Sequence, residues 1–260
     1  MGKDKYTFRI QRFDPAVKEQ PYYQDFTLEG SEGMTVLEAL LRIQAEQDGT
    51  LSFRYACRGA VCGSCAMIIN SREDLACRTQ VRDVGRKALT VYQGAERQET
   101  EVNTDDPYLI LIEPLRNMPL VKDLVVDMEP FLGKVEDVQP WLQPAGPDPE
   151  RERPVDPKDW VEAAPYINCI LCGCCHSVCP AAEKDDNYLG PAALAAQYRF
   201  LGDPRDTADE SRMNRVDSKS GVWGCDMVWN CGKVCPKEVP PTKGIAKTRA
   251  RIRRAQRDKR

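Results

Sequence analysis

A chain of 260 residues exceeds one small module and falls short of three full domains, so two cores of roughly 100 to 150 residues each are expected. A hydrophobic content of 42% beside 30% charged residues excludes disorder throughout, and a net charge of −3 argues against a polyelectrolyte surface for nucleic acid. No stretch approaches the roughly 18 uninterrupted apolar residues of a bilayer span, so any membrane role is expected to be peripheral.

The opening residues, Met1-Gly2-Lys3-Asp4-Lys5-Tyr6, carry charge with no apolar stretch behind them, which speaks against a cleaved secretory signal and for a cytoplasmic chain. Tyr6, Phe8 and Ile10 alternate with Thr7, Arg9 and Gln11, the period of a half-buried strand. Phe26 and Leu28 share one face of a second strand at 24–28, and Asp14-Pro15 and Pro21 between the two fit a hairpin. Thr35 followed by Glu38 is a capping-box pattern, opening a helix of about three turns with Val36, Leu37, Leu40 and Leu41 on one face. Further strands are predicted at 51–55, 66–69, 89–92 and 108–112. Strands, one helix and more strands make a small α+β first domain over 1–116.

The segment Glu113-Pro114-Leu115-Arg116-Asn117-Met118-Pro119 ends the strand pattern. From Leu120 onward the spacing of Leu124, Val125, Met128 and Leu132 predicts a helix, opening a mostly α second domain over 117–260. Residues 140–157 hold six prolines in eighteen positions and read as an extended loop. Helices are predicted at 191–201 and 242–254.

Twelve cysteines in a reducing compartment point to ligation rather than to disulfides. They fall in three tight groups, not in the scatter expected of small buried hydrophobes. Cys57, Cys62 and Cys65 have the spacing C-x4-C-x2-C and Cys77 follows, the plant-type [2Fe-2S] ligand pattern. Gly59 and Gly63 are expected to let the loop turn its amides toward the sulfurs, with Arg58 a nearby cation. A zinc site would also accept four thiolates, but it usually draws on two short knuckles, and only one is present.

Cys169, Cys172, Cys175 and Cys179-Pro180 reproduce the bacterial ferredoxin run C-x2-C-x2-C-x3-C-P, with Cys174 as a non-ligating neighbour. Cys225, Cys231 and Cys235-Pro236 repeat the frame with Val228 at the second cysteine's place. In two-cluster ferredoxins the fourth cysteine of each run serves the other cluster. That crossover gives Cys169, Cys172, Cys175 and Cys235 for a [4Fe-4S] cluster, and Cys179, Cys225 and Cys231 for a second site. Three thiolates suit [3Fe-4S]. Metal would then tie the ends of the second domain together, so iron removal is expected to unfold it.

These residues, with Asp123-Leu124-Val125-Val126-Asp127, Gly190-Pro191-Ala192, Tyr198-Arg199-Phe200 and Gly221-Val222-Trp223, resemble the iron–sulfur subunit of succinate dehydrogenase and quinol:fumarate reductase over nearly the whole chain. The resemblance implies an N-terminal β-grasp plant-type ferredoxin domain followed by an α-helical ferredoxin domain. It also implies electron transfer between the FAD of a flavoprotein subunit and a quinone at a membrane anchor, with or without haem b, at the cytoplasmic face of the inner membrane. The chain itself has no G-x-G-x-x-G fingerprint and one histidine, His176, which leaves the dicarboxylate and flavin chemistry to partners.

Ubiquinone-reducing members of the family carry a tryptophan shortly after the Cys-Pro pair and a histidine after the first cysteine of the last run. Here those places are Lys184 and Asp226, while Pro180 persists and Arg249 matches a basic residue of the final helix. The departure leans toward menaquinone and fumarate reduction; surface charge is the plain alternative for both residues. From Lys243 to the end there are nine basic residues against one acidic, either a solvated helical face or a contact for anionic lipid headgroups. The rival functions are an iron–sulfur subunit of another flavoprotein, including a relative with a disulfide acceptor, and a zinc-stabilised interaction module.

Overall fold

A computed structural model of the chain describes residues 4–84 and 108–259. The chain divides into two compact units, Met1–Met128 with Cys172–Ser177, and Glu129–Leu171 with Val178–Arg260. The first break thus lies beyond the Arg116 boundary read from the sequence, and part of the second cysteine run is grouped with the first unit.

The first unit is built on a five-stranded mixed sheet of order β2 (Tyr22–Glu29), β1 (Lys5–Arg12), β5 (Leu109–Glu113), β3 (Ala66–Ile69) and β4 (Arg72–Leu75). Strands β1 (Lys5–Arg12) and β2 (Tyr22–Glu29) are antiparallel, in the register Phe8 to Phe26. Alternation does what the sequence predicts, with Tyr6, Phe8 and Ile10 buried and Thr7 and Arg9 turned away. Helix α1 (Val36–Glu46) starts at Thr35, whose hydroxyl accepts the Glu38 amide, and buries Val36, Leu37, Ala39, Leu40 and Ile43. Strand β3 (Ala66–Ile69) turns into β4 (Arg72–Leu75) through Asn70 and Ser71, both at positive φ, the two-residue turn that matches strand twist. A short helix α2 (Val81–Val84) follows, and β5 (Leu109–Glu113) enters the sheet parallel to β1. The strand predicted at 89–92 lies outside the described residues.

Two sequence expectations are corrected here. Residues 51–55 form no strand; side-chain and backbone contacts anchor them instead, the Ser52 amide donating to Asp123 at 2.8 Å and Arg54 to the Val126 carbonyl at 2.8 Å. The helix predicted from Leu120 is a small antiparallel pair, β6 (Leu120–Lys122) and β7 (Val125–Val126). Asp123 stands between them at φ +47° with its carboxylate on the Phe13 amide, the Ser52 amide and Arg12, contacts that a continuous helix would forfeit.

The segment Cys172–Ser177 keeps company with this unit for specific reasons. Gly173, at φ +85°, lies so close to Leu115, Met118 and Met128 that a Cβ there would meet their side chains at 3.2 to 3.6 Å. The Ser177 hydroxyl donates to buried Glu73 at 2.9 Å and accepts from the Arg116 amide, while Asn117 donates to the His176 carbonyl.

The second unit is helical among the described residues. Helix α3 (Glu129–Asp137) buries Phe131 and Val135 and leaves Leu132 exposed. The proline-rich stretch that follows is irregular, with several bends, until the single turn α4 (Pro157–Trp160). Its start is clasped by Arg212, which donates to the Gln139 and Trp141 carbonyls and, through two nitrogens, to Asp206 at 2.9 and 2.6 Å, with both charged side chains almost fully buried. The turns α5 (Cys174–Ser177), in the first unit, and α6 (Pro180–Lys184) continue the second cysteine run. Then come α7 (Gly190–Leu201), α8 (Asp209–Val216), the single turn α9 (Asn230–Lys233) and the long α10 (Pro241–Asp258). The helices predicted at 191–201 and 242–254 are α7 and the body of α10. Their core is Tyr166, Ala195, Tyr198, Leu201 and Val239, with Cys169 and Cys235 packed against it.

Candidate metal centres

In the first unit the loop of residues 57–65 turns at left-handed Arg58, Ala60 and Gly63, with φ of +55°, +56° and +75°. Two of the three are not glycine, and each costs backbone energy on the order of 1 kcal/mol. The return is a set of inward amides. Gly59, Val61 and Cys62 donate to the Cys57 sulfur at 3.3 to 3.4 Å, and Ala60 donates to the Cys77 sulfur at 3.3 Å. Gly59 therefore contributes an N–H rather than an unusual torsion. Arg58 places its cation over the Tyr55 ring. The Cys57 amide and the Ser64 hydroxyl and amide draw the Cys62 thiol down to about 6, while burial pushes Cys65 up to about 12. The N–H donors on Cys57, Cys62 and Cys77 favour the thiolate, the form that binds metal, while burial opposes it at Cys65.

The second and third runs share a backbone frame. Two residues after their first cysteines stand left-handed Leu171 (φ +51°) and Met227 (φ +59°); one residue after Cys172 and after Val228 stand Gly173 (φ +85°) and Trp229 (φ +65°). Val228 thus stands, like Cys172, between two left-handed residues, and it is 41% exposed. Trp229 holds a torsion that favours glycine, and the sequence alone carried no sign of that.

Cys172 and Cys175 are in the first unit, Cys169 and Cys235 in the second. The Cys174 thiol is buried and hydrogen-bonded to Cys172, which lowers the Cys172 pKa and raises that of Cys174. In the second unit the Val239 amide donates to the Cys235 sulfur at 3.3 Å.

Cys179, Cys225 and Cys231 gather in the second unit. Burial pushes the Cys179 thiol up to about 11 against the opposing amides of Ala182 and Ala181, and the thiols of Cys231 and Cys225 lie within electrostatic reach of it. The Met227 amide donates to the Cys225 sulfur at 3.4 Å, and the Thr242 hydroxyl is 3.0 Å from the Cys231 sulfur. The Tyr188 ring packs under Gly224, where a Cβ would come within 2.9 Å of it. Beside this group Lys184 and Asp226 form an ion pair at 3.3 Å, both partly exposed. Pro180 is buried at the start of α6. Arg249 donates to the Val222 and Cys225 carbonyls at 2.8 Å and lies over the Trp223 ring, so it braces the Cys225 loop.

None of the twelve cysteines is in a disulfide. Among the described residues no three His, Cys, Asp or Glu side chains converge as a single ion requires. Zinc draws its sulfurs to about 2.3 Å around one centre, whereas an iron–sulfur cluster holds its thiolates apart, on separate irons. Much of the basic end is engaged within the chain, with Lys247 on Glu162, Arg251 on Asp209, Arg254 on Asp258 and Lys259 on Glu210. No helix among the described residues is long and apolar enough to cross a membrane.

A family model described as a 2Fe-2S iron-sulfur cluster binding domain matches residues 7–133, and one described as a 4Fe-4S dicluster domain matches residues 166–239. The succinate dehydrogenase iron-sulfur subunit of Coxiella burnetii is 34% identical over 249 residues, covering 95% of this chain and 96% of its own. The fumarate reductase iron-sulfur subunit of Haemophilus influenzae is 33% identical over 248 residues, covering 91% and 88%. A chain of the Mycobacterium smegmatis Sdh1 complex in the apo form has the same fold, with a TM-score of 0.78 at 24% identity over 96% of each chain.

Proposed function

The chain belongs to the family of iron–sulfur subunits of succinate dehydrogenase and fumarate reductase, and from that premise we propose a three-cluster conductor between the flavin of a flavoprotein subunit and menaquinone at a membrane anchor. Its place as an electron-transfer subunit carrying [2Fe-2S] and [4Fe-4S] clusters comes with the family. The rest of the wiring is our assignment. Cys57, Cys62, Cys65 and Cys77 hold [2Fe-2S]; Cys169, Cys172, Cys175 and Cys235 hold [4Fe-4S]; Cys179, Cys225 and Cys231 hold [3Fe-4S]. When bound, these clusters supply one-electron chemistry at potentials set by ligand number, hydrogen bonds to sulfur and burial.

The observation that carries the third assignment is the shared left-handed frame of the two runs, with Val228 flanked as Cys172 is. An isopropyl group there offers iron no ligand. The chain's own work is to present thiolates and to supply N–H donors. Donors on Cys57 and Cys77 favour the added negative charge of a reduced centre. Arg249 holds the Cys225 loop by its carbonyls. For the quinone we assign the neighbourhood of Pro180, Lys184, Asp226 and Arg249. Its support is the Lys184–Asp226 pair, standing where ubiquinone-reducing members carry tryptophan and histidine.

Electron paramagnetic resonance with redox titration of the assembled membrane complex tests the proposal. We expect three separable centres, one with the signal of an oxidised three-iron cluster, and menaquinone on extraction. A four-iron cluster at the Val228 run, or zinc in place of iron, would overturn the wiring; bound ubiquinone alone would overturn the quinone assignment.

A further inference from the structure

Tyr188, just before α7, is among the largest fully buried side chains of the protein, at 1% exposure. Its hydroxyl oxygen is inaccessible and has no well-formed hydrogen bond to any protein group. A phenol buried without a partner is destabilising, and a phenylalanine of the same shape would avoid that cost. The position is held firmly. The Tyr188 amide donates to the Asp185 carbonyl at 3.0 Å, and the next amide, of Leu189, donates to the Ser220 carbonyl at 2.9 Å. Gly224 leaves the space that the ring fills, since a Cβ there would meet Tyr188 Cδ2 at 2.9 Å and Cε2 at 3.3 Å. Gly224 is also the residue before Cys225. What faces the hydroxyl is sulfur, with Cys225, Cys179 and Cys231 all within electrostatic range.

The three cysteines around this hydroxyl are the three assigned above to one cluster. We propose that Tyr188 is a potential-setting residue of that centre, its O–H donating to the Cys225 sulfur or to an adjoining cluster sulfide. The inference rests on the assignment of a cluster to Cys179, Cys225 and Cys231. Its physical content is simple. Reduction adds one negative charge to a buried centre, and a fixed O–H dipole aimed at sulfur stabilises the reduced form more than the oxidised one. Other donors already serve this group, among them the Met227 amide on Cys225, the Ala182 and Ala181 amides on Cys179 and the Thr242 hydroxyl beside Cys231. Tyr188 adds one that neither cysteine spacing nor loop conformation requires, so it sets the potential without being needed to hold the iron.

The test is Tyr188→Phe in the assembled complex, with redox titration of all three centres followed by electron paramagnetic resonance. Only the strengthening of that hydrogen bond on reduction counts, so its loss should lower the reduced-to-oxidised ratio of the affected centre by up to about tenfold at fixed potential, a downward shift of up to about 59 mV for a one-electron couple. The other two centres should not move. A retained three-iron signal with an unshifted midpoint overturns the role of Tyr188. Absence of that signal from the unaltered complex overturns instead the cluster assignment beneath it. Should Tyr188→Phe fail to assemble, difluorotyrosine placed at 188 keeps the ring and strengthens the donor, and the midpoint should then rise; an unchanged midpoint would again refute the proposal.

Discussion

Replacing Asp123 by alanine should loosen the [2Fe-2S] domain far more than its place between two short strands suggests. Its carboxylate is almost fully buried against Arg12, with side-chain exposures of 2% and 5%. It accepts from Arg12 Nε at 3.0 Å, the Phe13 amide at 2.9 Å and the Ser52 amide at 2.8 Å. Removing one member of a buried pair costs about 3 to 5 kcal/mol, and two stranded amides belong to the same loss. Arg12 keeps Asp48 at 2.7 Å and the Gln24 and Thr50 side chains, so the lower end, about 3 kcal/mol, is the working figure. That corresponds to an opening equilibrium about a hundredfold larger. The effect should reach the metal because Ser52 leads toward Cys57, in a stretch also fixed by the Leu124 amide on the Ser52 carbonyl and by Arg54 on the Val126 carbonyl. Iron release to a chelator from the assembled complex should accelerate about a hundredfold in Asp123→Ala. Asp25→Ala is the control, breaking the Arg9 pair whose members are 45% exposed, and should change the rate less than about fivefold. Equal rates in the two variants would refute the reasoning.

Three further outcomes follow from the same geometry. Val228→Cys places a thiol in a frame that already matches Cys172, so the three-iron signal should give way to that of a four-iron cluster, seen by electron paramagnetic resonance of the oxidised and reduced complex; an unaltered signal would count against the frame. Cys174→Ala should retain the [4Fe-4S] cluster at full occupancy, because Cys174 serves as a hydrogen donor to Cys172, and iron analysis reading a lost cluster would move the ligand from Cys175 to its neighbour. The Asp48 carboxyl is held down at about 2 by the Thr50 hydroxyl and then by Arg12. A carboxyl depressed in the folded chain stabilises above its ordinary value near 3.8, and that contribution is lost as pH falls toward 2. The difference in urea midpoint between the unaltered chain and Asp48→Asn should therefore be constant at neutral pH and shrink below pH 4.

The cysteine spacing was legible because iron–sulfur ligation imposes it on the chain directly, and β1 and α1 were legible because each has one apolar face of regular period; α7, buried almost all round, showed itself by its opening proline and the lack of strand alternation. Strand β4 escaped notice because one of its inward positions is Glu73, whose charge breaks the alternation and whose partner, Ser177, is remote in sequence. The stretch after Leu120 has helical spacing, yet a single carboxylate three residues on collects donors from two other segments and outweighs local preference. Glycines looked like the turning points of the first cluster loop, but Arg58 and Ala60 carry two of the three left-handed torsions, strain that composition does not reveal. Tyr188 belongs to no motif and is recognised only by what its hydroxyl lacks and what it faces.

The Arg212–Asp206 clasp carries a thermal consequence for the helical unit. Charged groups lose hydration free energy as temperature rises, so burying them becomes less costly while apolar burial gains little. A clasp with both partners out of water and four donor contacts met by oxygen should therefore hold better, relative to the packing around it, in a warm cell than in a cold one. The root of the proline-rich stretch is then the part of that unit which heating loosens last.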